Sequence, residues 1–174
     1  MKKIAIIALI LGFAACQEGK KETNYSADAN QINANEINAA NLDAETVEQI
    51  ISSYLKMKDF LVNTNAEKTA FAAEELLFNF ENNNSEFLQK LFKEVKLISE
   101  TKEVEQQRIY FEGLSNNIYT LAKNSNTEMN LYQQYCPMAF DNTGAYWVSD
   151  NEKVYNPYFG DKMLRCGKVM EVIE

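Results

Sequence analysis

The sequence predicts a mainly α protein, an antiparallel up-down four-helix bundle carrying a small aromatic-rich C-terminal cap of short strands and loops. Three observations lead there. Apolar residues recur at three- and four-residue spacing from 41 to 124, the breaks between those runs carry helix-start residues, and the periodicity ends where aromatics and prolines gather. With 174 residues, 46% hydrophobic and 24% charged, the chain is long enough to bury one core.

Residues 1–15 read as a targeting segment. Lys2 and Lys3 form a basic start, Ile4 to Phe13 an apolar run, and Ala14-Ala15 a small pair directly before Cys16. The run falls short of the ~20 apolar residues that a membrane-crossing helix needs, so it reads as a secretory signal. Its ending resembles a bacterial lipobox, which implies lipid on Cys16 and cleavage in front of it. Loss of Lys2 and Lys3 would leave 15 basic against 25 acidic residues, a net charge of −10. An ordinary signal cut elsewhere, or a buried first helix, is the plainer alternative.

Residues 16–40 read as the lipidated cysteine and a flexible tether, rich in Asn, Ala, Gln and Glu, with Ile32 and Ile37 as the sizeable aliphatics. Such a composition offers little apolar area to offset the entropy of ordering it. As a flexible chain it would span ~25 to 30 Å. The competing expectation is that part of it docks as a helical extension.

The single domain is expected over 41–174. Asn41 or Asp43 starts the first helix, with Val47, Ile50, Tyr54, Met57 and Leu61 on one face. Thr64-Asn65-Ala66-Glu67 has the form of a capping box before Ala66, Ala70, Ala73, Leu77 and Phe80. After Asn82-Asn83-Asn84-Ser85 a third run carries Phe87, Leu91, Val95 and Ile98. Thr101 starts the fourth, with Val104, Phe111, Leu114, Ile118 and Leu121, and polar Gln107 at a core position. Runs of ~17 to 24 residues with short connections favour antiparallel neighbours. Met57 on its apolar stripe reads as core filling. Gly113, costly inside a helix, suggests a tight contact.

The cap, 126–174, differs in kind. Between Tyr132 and Phe159 lie eight of the twenty aromatics, Trp147 and both prolines, Pro137 and Pro157. Ala145 to Ser149 reads as a short strand between turn signals at 141–144, Asp150-Asn151 and Asn156-Pro157.

Within the cap sit two sulfur pairs, Cys136-Pro137-Met138 and Met163-Leu164-Arg165-Cys166. Two thiols and two thioethers form a soft donor set, which selects Cu(I) or Ag(I) over zinc or magnesium. If Met163 to Cys166 is one helical turn, the spacing puts both sulfurs on one side, and Gly167 suits a left-handed stop. The metal candidates are therefore Cys136, Met138, Met163 and Cys166. A structural Cys136–Cys166 disulfide competes with this: closing a loop of about 30 residues would add ~3 to 4 kcal/mol of stability. Unpaired buried thiols are a third reading.

The chain contains no histidine, which excludes Ser-His and Cys-His catalysis and His-ligated zinc or haem. Acids outnumber bases 25 to 17, which argues against nucleic acid and anionic membrane surfaces as partners. No phosphate loop, nucleotide fingerprint or isolated carboxylate pair is present, so no catalytic residue is named and an enzyme is not expected.

Tyr135-Cys136-Pro137-Met138-Ala139-Phe140, then Gly144-Ala145-Tyr146-Trp147, then Asn156-Pro157-Tyr158-Phe159-Gly160-Asp161-Lys162-Met163-Leu164 and Cys166-Gly167 resemble the signature of an uncharacterised periplasmic domain family. The resemblance runs back through Tyr54-Leu55-Lys56-Met57-Lys58-Asp59 and Gln107-Arg108 to Leu114-Ser115. The family is found as small bacterial lipoproteins and appended to CusB-type heavy-metal efflux adaptors. The resemblance implies heavy-metal handling and matches its sulfur positions to Cys136, Met138, Met163 and Cys166. The expectation is a lipid-anchored protein of the Gram-negative envelope, periplasmic or associated with the outer membrane. It would bind Cu(I) or Ag(I), without needing the metal to fold, and sequester it or pass it to an efflux adaptor. The alternative is a non-enzymatic interaction module stapled by a disulfide.

Overall fold

The computed structural model describes residues 31–82 and 85–173. The expected signal segment, Cys16 and the first part of the tether lie outside these residues. Mainly helical structure precedes a small C-terminal antiparallel sheet, as the periodicity anticipates.

The expected tether is shortened by the first helix, α1 (Ala34–Ala40). Asn33 accepts hydrogen bonds from the Asn35 and Glu36 N–H groups while the Glu36 carboxylate accepts one from the Asn33 N–H, a capping box. Ile32 and Ile37 are both buried, the Ile32 N–H donates to Asn117 Oδ1 at 2.9 Å, and Glu36 pairs with Lys90 at 2.7 Å. Average composition hides these anchors, so docked structure begins before the expected boundary at 40.

Helix α2 (Ala44–Val62) is capped by Asp43, which accepts from the Thr46 N–H at 2.7 Å. All five residues of its expected core face are buried, Met57 among them. Helix α3 (Ala66–Asn79) starts one residue later than the Thr64 capping box implies. Asn65 is the cap, and Thr64 takes a left-handed φ of 51° with its hydroxyl facing Arg108. Ala70 and Ala73 are buried as expected, but Leu76 rather than Leu77 fills the core. Helices α4 (Glu86–Ser99) and α5 (Val104–Lys123) bury their expected apolar residues, except that Val104 is only partly covered. Gln107 is fully buried. Its amide donates to Ala66 O at 2.9 Å and Thr101 O at 2.8 Å, so a polar side chain on the core face ties two helix junctions together.

At 14 residues each, α3 and α4 are shorter than anticipated, because 80–82, Ser85 and 100–103 are spent on caps and turns. From α2 to α5 each helix packs on the next, and α5 also contacts α2. Among the described residues no helix is long and apolar enough to cross a membrane.

The cap forms a three-stranded antiparallel sheet in the order β2-β1-β3, from β1 (Leu131–Cys136), β2 (Ala145–Ser149) and β3 (Lys168–Ile173). Strand β2 has the bounds its sequence indicates. It lies against α5 and α2 and inserts Trp147 and Val148 into the shared core. Tyr54 stacks on Phe111 with ring centroids 4.8 Å apart, and its hydroxyl is hydrogen-bonded to Ser115 Oγ and to the Val148 N–H, each at 2.9 Å. One phenol thus joins two helices to the sheet. Tyr54→Phe strands the buried Val148 N–H and is expected to cost about 1–3 kcal/mol, read from urea unfolding midpoints. A change too small to measure would show that this junction tolerates an unpaired amide.

Candidate functional site

The site is built where β1 ends. Register sets Cys136 opposite Ala145, a small and buried neighbour, and Cys136 itself is fully buried. A register irregularity between Gln133 and Gln134, where β1 meets β3, is followed by a strand end whose Gln134 and Cys136 both face inward. The second cysteine arrives from the loop before β3. Cys166 is half-buried, and its thiol lies within hydrogen-bonding reach of Cys136 and of the Met138 N–H. Both cysteines are free thiols. Burial, then the hydrogen bond and charge of the Cys136 thiol, push Cys166 up to about 11.

The structure therefore brings together Cys136 and Cys166, thirty positions apart in the chain. It treats the methionines differently. Met138 places its backbone N–H at the Cys166 sulfur while the residue is 47% exposed. Met163 is half-buried, and its carbonyl accepts the Cys166 N–H at 3.0 Å. That bond closes one turn rather than the helical turn expected, since Met163 has φ −149° and ψ 54°. Gly167 also departs from expectation. Its φ of +139° is not that of a left-handed helix stop; a Cβ there would lie 2.8 Å from Tyr135 O and 2.9 Å from the Trp147 ring. Close approach of three strands of chain, not helix termination, requires glycine next to Cys166.

An aromatic cluster lies beside the pair, with the Trp147 ring against Gly167 and Tyr158 close enough to feel Cys136. Trp147 and Tyr158 meet edge-on with centroids 5.8 Å apart, and Phe140 and Phe111 flank Tyr158 in the same manner. The Tyr158 hydroxyl donates to Tyr146 O and reaches Ser115 Oγ at 3.5 Å. Burial first, then the neighbouring Tyr54, raises the Tyr158 phenol well above its ordinary value, with Glu112 and Cys136 adding to the effect. The phenol is a neutral donor at physiological pH. Phe140, Asp141 and Asn142, just beyond Met138, all take left-handed φ values of 49°, 56° and 68°. This tight reversal within α6 (Ala139–Asn142) returns the chain to β2.

Sequence reasoning missed Asn156, which it read only as a turn residue before Pro157. Asn156 is fully buried and its amide donates to Cys166 O at 2.7 Å. It also passed over Arg108. The buried guanidinium donates to Pro157 O at 2.9 Å, Leu61 O at 3.2 Å and Thr64 Oγ1 at 3.2 Å, with Glu105 at 2.9 Å. A fully charged residue on the core face of α5 was the signal available for Arg108; for Asn156 only the fold supplies one.

Among the described residues, no group of three or more His, Cys, Asp or Glu gathers as a metal cluster. The arrangement on hand is a two-thiol site. Two facing thiols at a partly exposed edge suit two-coordinate binding of a soft d10 ion, or closure to a disulfide.

Residues 50–130 match the family model described as a protein of unknown function (DUF3347). The match spans most of α2 through α5 and stops one residue before β1, so all four candidate sulfur residues lie beyond it. Neither curated proteins nor solved structures return a match.

Proposed function

We propose that this chain binds a soft monovalent metal ion, Cu(I) or Ag(I), as a two-coordinate complex of the Cys136 and Cys166 thiolates, with the Met138 and Met163 thioethers as auxiliary donors outside that pair. The observation that carries this reading is the contact between two free thiols delivered by a strand end and a distant loop. Two thiolates supply the negative charge that holds a monovalent ion, and no proton need leave a thioether for it to join. Exposed Met138 is placed to exchange with a partner's ligand, while Trp147 and Tyr158 keep water from the inner face.

The proposal extends to setting. Cys16 would carry a lipid, and the domain would work in the Gram-negative envelope, sequestering the ion or passing it to a heavy-metal efflux adaptor of the CusB type. It would do so without enzymatic activity and with no metal needed for folding. Its helices would form an antiparallel up-down bundle, a reading supported by the short connections between α2, α3, α4 and α5.

Titration of the reduced protein with Cu(I) against a chromophoric chelator tests the reading. One equivalent is expected to bind, and the Cys136→Ser, Cys166→Ser double variant is expected to lose at least about 100-fold in affinity. Equal affinity in the two proteins would remove the metal reading. The same thiol contact favours a second reading, an interaction module stapled by a disulfide. That reading requires protein isolated from the envelope to resist thiol alkylation at both cysteines.

A further inference from the structure

We infer that Asn156 is the positioning residue of the thiol pair: it holds the Cys166 main chain so that its sulfur lies against Cys136 before any ligand arrives. The inference rests on the proposed site for its metal arm only. Asn156 is fully buried and closes both ends of the loop that delivers Cys166. Its backbone N–H donates to Leu164 O at 2.9 Å and its amide Nδ2 to Cys166 O at 2.7 Å. Its amide Oδ1 accepts from the Tyr158 N–H at 2.8 Å and the Phe159 N–H at 3.2 Å, and its carbonyl accepts from the Gly160 N–H at 3.0 Å.

These bonds leave Cys166 little freedom. Its N–H is held by Met163 O, its C=O by Asn156, and the next residue, Gly167, is packed against Tyr135 O and the Trp147 ring. The far side of Asn156 is equally fixed, because Arg108 Nε donates to Pro157 O at 2.9 Å. No other side chain of this shape satisfies the donor and both acceptor contacts at once: alanine removes all three and the isosteric aspartate loses the donor. Groups that orient a metal ligand without touching the metal typically govern affinity by about 10- to 100-fold.

The test uses the full chain in four forms: native, Asn156→Ala, Asn156→Asp and Leu91→Ala. Leu91 is a buried residue of α4, a helix that packs on α1, α3 and α5, so its truncation lowers stability away from the cap. Each form is equilibrated with reduced and oxidised dithiothreitol, then alkylated and weighed. In this exchange the two thiol hydrogens pass to oxidised dithiothreitol, which becomes the dithiol, while Cys136 and Cys166 join. Both Asn156 variants are expected to lower the closure constant about 10- to 100-fold and to weaken Cu(I) binding in parallel, whereas Leu91→Ala leaves both within about twofold. Should Asn156→Ala fail to fold, Asn156→Asp carries the test, since it keeps the acceptor for Tyr158 and Phe159. A closure constant in Asn156→Asp equal to the native one, or a loss matched by Leu91→Ala, overturns the inference. Lowered closure together with no Cu(I) binding in the native chain upholds positioning and rejects the metal reading alone.

Discussion

Arg108→Ala is expected to destabilise the protein by about 3–5 kcal/mol and to lower its thermal midpoint by roughly 10 to 15 °C. The guanidinium is 1% exposed and ties the end of α2, the Thr64 turn and the loop that starts at Asn156. Truncation leaves Leu61 O and Pro157 O without that donor, opens a cavity and frees the cap from the helices. The ion pair with Glu105 contributes little by comparison, because that carboxylate is 64% exposed. Glu105→Ala should therefore cost under about 1 kcal/mol. Arg108→Lys should not rescue stability, since an ammonium cannot span the same three acceptors. Scanning calorimetry on the three variants decides the matter; equal losses for Glu105→Ala and Arg108→Ala would show that the ion pair, not the carbonyl contacts, is what counts.

Cu(I) affinity is expected to rise about tenfold per pH unit for each proton the ion displaces, across pH 6 to 8. The sign follows from Cys166. Its thiol is held up to about 11, so at neutral pH it binds its proton and a metal must expel it. Raising the pH lowers the cost of that expulsion, and the benefit ends only near the raised value. The same shift runs the other way for the metal-free fold. An unfolded cysteine loses its proton near ~8.5, so the unfolded chain sheds protons that the folded chain still keeps, and stability falls as pH climbs from there towards 11. Chelator competition at three pH values, at constant ionic strength, reads the slope. A pH-independent affinity would mean that no thiol proton leaves, and the thiolate pair would not be the ligand.

Much of the helical fold is legible in the sequence. The core faces of α2, α4 and α5 follow their apolar spacing because each helix has one side to bury, and β2 follows from a short β-rich run between turn signals. Where reading failed, local and distant contacts competed. Thr64 has the chemistry of a cap, but the Arg108 guanidinium takes its hydroxyl and Asn65 caps instead. Residues 31–40 look like solvated chain on average, yet two isoleucines and a capping box are enough to dock them. Gly167 reads as a helix stop from its neighbour in sequence; its true constraint is Tyr135 and Trp147, thirty-two and twenty positions away.

The sequence alone determined the helical half, the cap's change of character and which sulfur residues the cap contains, since each depends on periodicity or on residue chemistry. Which donors meet was decided by tertiary structure. Cys136 and Cys166 touch because β1 and the loop before β3 are brought together by sheet pairing and by the buried amide of Asn156, while Met138, equally plausible in the linear string, is left at the surface. Spacing along a chain reports one helical turn or one strand; it carries no information about a contact closed by hydrogen bonds between segments thirty residues apart.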